Sequence, residues 1–384
     1  MTKQGYELIG HPRLVRLNPN IPWKTRGNGA ISLHIEGENH DKIQSFIEEI
    51  LKTYAQVDDP QTNPGYVIAE SQLPFNTYEK TVREIVTLEE TKQLLDSLGA
   101  KYKGYKNGRG LIGATASIAW RPLHDKTYEY IAYREPTRWG TLRQVDDISV
   151  QHMDKTVLST FDNYDYTHNH NRVVPNSPCP VLYGIRGDVA EDLPTAASLV
   201  NSEPVESWIL FETNQGTDDH VQQTSISDIH PHQSVITTGI VNTIPHAIEG
   251  GHILFSLIDE TEKIDCAAYE PTKEFRHVIK QLLPGDLIEA YGGVREHPIT
   301  VNLEKINVLE LSNHVEKVEN PVCPQCKKHM KSKGKGQGYK CKHCGTTSNK
   351  PVVEEKRRSI QQGFYEVPVC ARRHLSKPLK RMKP

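Results

Sequence analysis

Two pairs of cysteines near the C-terminal end of the chain constrain its fold more than any other feature. They occur as CPQC at Cys323 and Cys326 and as CKHC at Cys341 and Cys344, with fourteen residues between the pairs. Two C-x-x-C knuckles at this distance can place four thiolates around one zinc ion in a tetrahedron. Because such a site is closed, we expect a structural zinc that organises a ribbon over residues 319–350.

The ribbon opens a strongly basic part of the chain. Residues 321–384 contain 17 lysines and arginines against three acidic residues, a net charge of +14, whereas residues 1–320 contain 29 against 45, a net −16. A basic region on an acidic body is typical of proteins that bind nucleic acid. A solubilising basic tail over residues 351–384 is the alternative. Seven lysines decorate the ribbon itself: Lys327, Lys328, Lys331, Lys333, Lys335, Lys340 and Lys342.

Length, cysteine use and hydropathy indicate a multidomain cytoplasmic protein. A chain of 384 residues is too long for one compact core. The three remaining cysteines, Cys179, Cys266 and Cys370, lie far apart, which fits a reducing compartment better than a disulfide framework. No apolar run reaches the roughly 18 residues of a membrane span. The opening residues MTKQGYELIG also lack the pattern of a signal peptide.

The first two thirds of the chain alternate helical and strand patterns. DKIQSFIEEILKTY has apolar residues at helical spacing, and TLEETKQLLDSLG combines a capping box at Thr87 and Glu90 with a C-terminal glycine at Gly99. Strands are predicted at 128–134, at 180–187 and in SWILFETN, with a helix between the last two. This order predicts an α+β unit over residues 126–222.

A different pattern starts at Ser234. Three predicted strands, SVITTGIVN, HILFSLID and KIDCAAY, precede the helix KEFRHVIKQLL and two further strands. This is the element order of an OB-fold barrel, which we place at residues 230–313. OB folds commonly bind single-stranded nucleic acid.

Two loops carry more cations than their turns need. The opening loop NPNIPWKTRGNG holds Lys24, Arg26 and Asn28, and the glycine loop contains Asn107, Gly108, Arg109 and Gly110 within NGRGLIG. The glycine loop matches G-x-G-x-x-G but follows YKGYK instead of an apolar strand, so a dinucleotide fold is not indicated. Backbone amides at the start of the following helix could hold phosphate. A tight turn with glycines for close packing is the alternative.

A third loop, ETNQGTDDH, places three carboxylates around a glycine directly after a strand. An Asx-type turn explains this composition. A pocket for a small cation explains it equally well.

Together these stretches resemble one family along residues 12–379. The shared motifs are RLNPNIPWKTRGNGA, NGRGLIGA, TYEYIAYR, TFDNYD, PCPVLYGIRG, TNQGTD, IDCAAYEP and GFYEVPVCARRHLSKPL. They identify the chain as similar to the archaeal tRNA(Ile) 2-agmatinylcytidine synthetases, the TiaS family. The resemblance implies an α+β multidomain protein: a kinase-like ATP-using domain (1–125), a ferredoxin-like agmatine-binding domain (126–222), the OB fold (230–313), the zinc ribbon (319–350) and the basic tail (351–384).

The resemblance also implies an activity. ATP would activate the ring carbonyl oxygen of the wobble cytidine in the CAU anticodon of tRNA(Ile), and the amine of agmatine would then displace it. ATP, magnesium and zinc are the implied cofactors. Lys24, Arg26 and Asn28 are expected to be catalytic, and Asn107, Gly108, Arg109 and Gly110 to hold the phosphates. Agmatine carries a guanidinium, so its site needs carboxylates, for which the candidates are Asp218, Asp162 and Asp165.

One departure from the family pattern concerns the start. Family members carry an Asp-rich IDDTDS stretch and a Thr pair ahead of the matched part, and carboxylates of this kind suit magnesium bound to nucleotide phosphates. The sequence given begins after the corresponding place. We therefore expect a truncated kinase-like domain that packs poorly, with the strand of Leu14 and Leu17 left as an unpaired edge. A non-catalytic tRNA-binding relative, using only the OB fold, ribbon and tail, is the alternative function.

Overall fold

The computed structural model describes residues 1, 5–24, 28–37 and 40–382. Its N-terminal third contains β1 (Glu7–Leu8), β2 (Arg13–Arg16), β3 (Gly29–Ser32), β4 (Ile35–Glu36), α1 (His40–Tyr54), β5 (Gly65–Ile68), α2 (Phe75–Arg83), α3 (Leu88–Ser97), β6 (Lys101–Gly104) and α4 (Gly110–Ala119). The middle third contains β7 (Thr127–Arg134), α5 (Asp147–Thr156), β8 (Tyr164–Asp165), β9 (His170–Asn171), β10 (Val181–Gly187), α6 (Asp192–Ser198), β11 (Val205–Thr213) and β12 (Val221–Gln223).

The barrel region follows with β13 (Ser234–Val241), β14 (His246–Ala247), β15 (Ile253–Ile258), β16 (Lys263–Ala268), α7 (Phe275–Ile279), β17 (Leu287–Arg295) and β18 (Thr300–Glu310). The remainder contains β19 (Val315–Glu319), β20 (Lys331–Ser332), β21 (Tyr339–Lys340), β22 (Thr347–Ser348), β23 (Val352–Glu355) and β24 (Gly363–Glu366). Among the described residues, none of the helices combines the length and the apolar character that a bilayer crossing requires.

One five-stranded sheet in the order β10-β7-β11-β2-β3 joins the first two thirds of the chain. β2 pairs in parallel with β11 and antiparallel with β3. The prediction that the strand of Leu14 and Leu17 would be an unpaired edge is therefore wrong, because β11 arrives from about 200 residues further along the chain. Strands of the segments 1–125 and 126–222 thus share one set of ladder hydrogen bonds.

Two apolar clusters cover this sheet. Val15 and Leu17 of the β2 region pack with α2, α3 and α4 around the fully buried Trp120. β7 and β10 pack with α5 and α6 around Leu182 and Leu193. Burial of this apolar surface fixes which residues of the intervening loops face the same side of the sheet.

The predicted helix signals around α3 are confirmed. The Thr87 hydroxyl accepts from the Glu90 amide, and the Glu90 carboxylate accepts in return from the Thr87 amide, which completes the capping box. Gly99 follows the helix with a φ of +64°, the left-handed conformation that glycine adopts at helix ends. The sequence analysis did not identify α2 or α5.

A closed five-stranded barrel occupies the third quarter of the chain. Its strand order is β13-β17-β18-β16-β15, and β13 also pairs with β15, which closes the ring. α7 lies between β16 and β17 in the sequence and buries Phe275 and Ile279 in the barrel core. The predicted order of three strands, a helix and two strands is present, with the short β14 as an addition.

The basic C-terminal region has two parts that differ in how they pack against the rest of the chain. The ribbon forms a small three-stranded sheet, β20-β21-β22. Beyond it, β24 pairs with β18 of the barrel, and residues 363–382, hereafter the C-terminal segment, lie against the five-stranded sheet. This segment is a folded part of the body and not a free tail.

Candidate functional site

The opening loop between β2 and β3 docks on the barrel. The Asn18 amide group donates to the His232 carbonyl oxygen over 3.1 Å, and the Asn20 amide group donates to the Gln233 carbonyl oxygen and the Ser234 hydroxyl, both over 2.8 Å. Asn18 is fully buried. Asn18 and Asn20, whose residue type is common in turns, therefore position the loop against the barrel.

Asn28 braces this loop from inside. Its φ is +25°, and its side-chain amide donates to the Asn18 carbonyl oxygen over 2.8 Å. Its backbone carbonyl accepts from Leu17. Arg26, predicted to be catalytic, lies outside the described residues.

A polar cleft of about 400 Å³ lies between the opening loop and the barrel. Its positive charge comes from loop, barrel and C-terminal segment together. Burial, followed by the neighbouring Arg373, lowers the pKa of Lys24, while Glu304 acts in the opposite direction. The lining residues are Pro19, Asn20, Lys24, His232, Val294, Arg295, Glu296, His297, Asn302 and Arg373.

The opening loop and the glycine loop meet through a cation–π contact. The guanidinium carbon of Arg109 lies 4.4 Å from the centre of the Trp23 ring. Burial lowers the pKa of Arg109, which remains charged because free guanidinium has a pKa above 12. The structure therefore places the predicted cation Arg109 against the residue that directly precedes the predicted cation Lys24.

The glycine loop is a tight, closely packed turn directly before a helix. Gly108 has a φ of +76°, and the Arg109 amide donates to the side chain of Asn107 over 3.0 Å. At Gly110 a Cβ would lie only 2.5 Å from the Asn63 carbonyl oxygen, so close packing alone requires this glycine. Helix α4 starts at Gly110, and the amides of Leu111 and Ile112 donate to the carbonyl oxygens of Gly108 and Arg109, both over 3.1 Å.

A buried charge network that the sequence analysis missed lies beside these loops. Glu129 of β7 accepts from Gln215 over 2.6 Å, and Arg186 and Arg16 approach it within 3.4 and 3.8 Å. His374 accepts at Nδ1 from Arg186 over 3.1 Å, and burial followed by Arg16 and Arg186 holds its pKa well below the usual range. The partners are far apart in sequence, so no local motif could have indicated the network.

The three aspartates predicted to bind agmatine all have partners within the protein. Asp218, at a φ of +62°, accepts from Lys305 of the barrel over 2.7 Å and from the Lys377 amide over 2.6 Å. The carboxylate of Asp162 pairs with Arg372. Asp165 accepts from the amides of His168 and Cys370, both over 3.0 Å. The side chains of Asp162 and Asp165 are 10% and 3% exposed, which leaves Asp218, at 17%, the most accessible of the three.

The four predicted zinc ligands lie together in the ribbon. The sulfur atoms of Cys323, Cys326, Cys341 and Cys344 are all within 4.8 Å of one another. Four thiolates at this spacing suit tetrahedral zinc with Zn–S bonds of about 2.3 Å. Met330 and Tyr339 pack against the cysteines and shield the cluster.

Comparison with known proteins decides which family carries this arrangement. A model of the TiaS TCKD domain matches residues 1–107, one of the TiaS FLD domain matches residues 108–220, and one of the TiaS C-terminal zinc ribbon domain matches residues 320–360. The chain belongs to the TiaS family. The resemblance drawn from the sequence motifs is thereby confirmed.

Curated TiaS relatives, named as 2-agmatinylcytidine synthetases of an isoleucine tRNA, are similar over nearly the whole chain. The TiaS of Archaeoglobus fulgidus is 42% identical, covering 98% of this chain and 90% of the relative. That of Methanosarcina mazei is 44% identical, covering 96% and 89%. The chain is thus similar to these TiaS proteins over almost its whole length.

Solved TiaS structures share the fold. A complex of TiaS with its isoleucine tRNA and ATP superposes with a TM-score of 0.88 at 41% identity, and a complex of TiaS with the same tRNA, AMPCPP and agmatine with 0.86 at 38%. Both comparisons cover 98% of this chain and 90% of the other. The mixed α/β architecture with a five-stranded barrel and a zinc ribbon is therefore that of TiaS.

Proposed function

We propose that this protein is an ATP-dependent ligase that attaches agmatine to the wobble cytidine of the CAU anticodon of tRNA(Ile), so that the codon AUA is read as isoleucine. The TiaS of Archaeoglobus fulgidus, which matches 98% of this chain, carries this activity in its name, and a TiaS structure holds an isoleucine tRNA, a nucleotide and agmatine. The observation in the structure that best supports the proposal is the contact of Trp23 with Arg109, which joins the two predicted phosphate-binding loops.

The proposed modules follow the sequence analysis: kinase-like over 1–125, ferredoxin-like over 126–222, an OB fold over 230–313, a zinc ribbon over 319–350 and a basic region over 351–384. We place the protein in the cytoplasm, where its tRNA substrate is found. The shared sheet means that the first two modules work as one body, with the opening loop between them and the barrel.

Positive charge at the two loops would steady the phosphate that ATP supplies. A carbonyl oxygen leaves poorly until it is phosphorylated, and phosphoryl transfer depends mainly on position and charge stabilisation. Arg109 forms no ion pair with a carboxylate among the described residues, so its guanidinium is available to a ligand. Helix α4 begins directly after this loop, and the N-terminus of a helix favours an anion. We assign Asn107, Gly108, Arg109 and Gly110 to the phosphates and Lys24 and Asn28 to catalysis. The third predicted catalytic residue, Arg26, lies outside the described residues.

Agmatine would then attack C2 of the activated cytidine with its amine. The new C–N bond forms as the C–O bond to the phosphorylated oxygen breaks, and phosphate leaves. The guanidinium at the other end of agmatine suits a carboxylate that accepts two parallel hydrogen bonds. Asp218 is our first candidate because it is the most accessible, followed by Asp162 and Asp165.

The nucleotide implies magnesium, yet at these loops the described residues do not form a group of three or more possible metal ligands. Among the residues that the structure describes, the two groups of three or more possible metal ligands are the ribbon cysteines and the Asp165 group. Neither includes a residue of the opening loop or the glycine loop. We therefore derive no step from this ion.

The experiment uses the full chain, a tRNA(Ile) transcript with the CAU anticodon, ATP and radiolabelled agmatine. We expect ATP-dependent incorporation, and none into a transcript whose wobble cytidine is replaced by uridine. Removing one well-placed donor typically costs about 10²–10³ in rate, so Arg109→Ala should be slower by this factor. Arg138→Ala, at an exposed arginine paired with Glu135, is the matched control. Binding of tRNA without any incorporation would instead favour the non-catalytic tRNA-binding relative.

A further inference from the structure

A second group of possible metal ligands lies where the two-stranded β8–β9 hairpin, the C-terminal segment and the barrel meet. The side chains of Asp165, His168 and Cys370 each place one ligand atom within 4.8 Å of the others. His168 Nδ1 is 3.1 Å from both carboxylate oxygens of Asp165 and 3.8 Å from the sulfur of Cys370. Cys370 follows β24, so the group joins parts of the chain that are 205 residues apart.

These separations are compatible with a shared metal ion as well as with hydrogen bonds. In a tetrahedral zinc site the N···O and N···S separations between ligands are about 3.4 and 3.6 Å, given zinc–ligand distances of about 2.0–2.3 Å. The observed 3.1 and 3.8 Å lie within about 0.3 Å of these values. An Nδ1–H and the Cys370 thiol can both donate to the Asp165 carboxylate, and loss of both protons leaves the same three atoms as metal ligands.

The other nitrogen of the same ring faces a second carboxylate. His168 Nε2 lies 3.0 Å from a carboxylate oxygen of Glu274, which directly precedes α7 of the barrel, but this nitrogen is buried and makes no hydrogen bond within the described residues. A histidine that binds a metal through one nitrogen almost always directs the N–H of the other to a carboxylate or carbonyl. A small rotation of either side chain would let an Nε2–H donate to Glu274, which would leave the lone pair of Nδ1 to a cation beside Asp165 and Cys370.

We propose that Asp165, His168 and Cys370 bind a second zinc ion, separate from that of the ribbon. The thiol of Cys370 loses its proton to solvent on binding, because thiolate is the form that binds zinc. One oxygen, one nitrogen and one sulfur ligand leave the fourth position for water or a substrate atom. The ion would fasten the C-terminal segment to the two-stranded β8–β9 hairpin, with Glu274 beside the site on the barrel. This assignment is independent of agmatine chemistry and leaves Asp218 and Asp162 as carboxylates for that substrate.

The surroundings balance the charge of such a site. Asp165 is buried to 3% exposure, and although burial raises its pKa, hydrogen bonds from Cys370 and His168 lower the pKa further, to about 2, so the carboxylate is anionic at neutral pH. Burial, followed by Asp165, raises the pKa of Cys370 to about 11 although Arg172 and Lys273 act in the opposite direction, so the zinc ion itself must displace the thiol proton. Zinc, not magnesium, fits a group that contains both sulfur and imidazole nitrogen.

The test is the number of zinc ions per chain in protein purified under reducing conditions and reconstituted with zinc alone. We expect two in the wild type, and one in Cys370→Ser and in His168→Gln. Cys179→Ser, at another half-buried cysteine outside both groups, is the matched control and should retain two. One zinc in the wild type would overturn the proposal even if the variants failed to fold. So would two zinc ions in a folded Cys370→Ser.

A spectroscopic measurement separates the two sites. In a Cys341→Ser chain reconstituted with cobalt, the ribbon site is damaged, and we expect a thiolate-to-cobalt absorption band from Cys370 that disappears when Cys370→Ser is added. The same band with and without Cys370 would show that the residual metal lies elsewhere, and the proposal would fail.

Discussion

The ribbon and the C-terminal segment carry the same kind of charge and use it in opposite ways. The seven lysines named in the ribbon are exposed, as is Lys350, and none of the eight forms an ion pair with a carboxylate within the part of the chain that the structure describes. In the C-terminal segment, by contrast, Arg373 pairs with Glu304 at 3.1 Å, Lys377 with Asp125 at 2.9 Å, and Arg381 with Asp125 and Asp188 at 2.8 and 2.6 Å. The single basic region of the sequence is thus two regions.

The difference shows that charge alone does not predict its use. Unpaired lysines on a small rigid ribbon release counterions when they meet a phosphate backbone. Paired cations in the C-terminal segment have already lost their counterions to carboxylates of the body, so they contribute to stability. The acidic excess of residues 1–320 is in part the complement of this segment.

The largest expected effect comes from removing the zinc of the ribbon. Cys341→Ser should abolish its zinc and unfold residues 320–350, because structural zinc contributes roughly 10–16 kcal/mol of apparent binding free energy at pH 7. The barrel and sheet should melt as in the wild type. Zinc content and limited proteolysis measure this change. A ribbon that stays resistant to protease without zinc would show that packing around Met330 suffices.

Next in size is the ion pair that joins the C-terminal segment, the sheet and the barrel. Asp218→Asn leaves the ammonium of Lys305, which is 1% exposed, without its carboxylate. Breaking such a buried pair typically costs about 3–5 kcal/mol, which a thermal melt would register. Asp188→Asn, at a carboxylate that is 42% exposed, should cost under about 1 kcal/mol. Similar melting temperatures of the two variants would contradict the comparison.

The same aspartate also tests the agmatine site. If Asp218 binds the guanidinium, losing its charge should weaken agmatine binding by about 1.5–3 kcal/mol in calorimetry while tRNA binding is retained. Unchanged agmatine affinity in a folded variant would move the site to Asp162, because Asp165 is assigned to the second zinc ion.

Acid stability provides a further test. Burial raises the pKa of Glu304, but Arg373, followed by His220, lowers it further, to about 2 overall. Its folded pKa is depressed, so its contribution, about 2–3 kcal/mol, is present above the unfolded pKa of about 4.3 and is lost as pH falls towards 2. Glu304→Gln should flatten the dependence of unfolding free energy on pH between these values. An unchanged acid limb would show that other carboxylates control it.

The smallest effect separates the two basic regions by salt dependence. Lys333→Gln with Lys335→Gln in the ribbon should reduce the slope of log affinity for tRNA against log salt by up to about 0.7–0.9 per lost phosphate contact. Lys377→Gln with Arg381→Gln in the C-terminal segment should leave the slope unchanged and lower the melting temperature. Equal changes of slope in both pairs would mean that the C-terminal segment also meets the RNA.

What the sequence could predict follows from the range over which the signals act. The capping box of Thr87 and Glu90, the zinc ligands and the barrel order depend on residues close in sequence or on a simple order of elements. The stack of Trp23 on Arg109 joins residues of two separate loops, which only the folded sheet brings together. Likewise, no sequence pattern near Asp218 indicates that Lys305 is its ion-pair partner.

The errors have the same origin. The sequence predicted a loose edge at β2 because its neighbour β11 comes much later in the chain. It predicted a free basic tail because the carboxylates that pair with Arg372 and Lys377 lie in residues 125–162. Composition measures how much charge a region carries, but only the fold determines whether that charge faces solvent.

The pairing of the C-terminal segment with the sheet also sets an order for biosynthesis. Asp125 leaves the ribosome about 250 residues before its partners Lys377 and Arg381. At roughly 5–20 residues per second, this delay lasts on the order of 10–50 s, during which the carboxylate stays hydrated. The carboxylates beside the sheet therefore gain their ion-pair partners only after the barrel and ribbon have been translated. A nascent chain stalled before Arg372 would expose these carboxylates, still unpaired, to its surroundings.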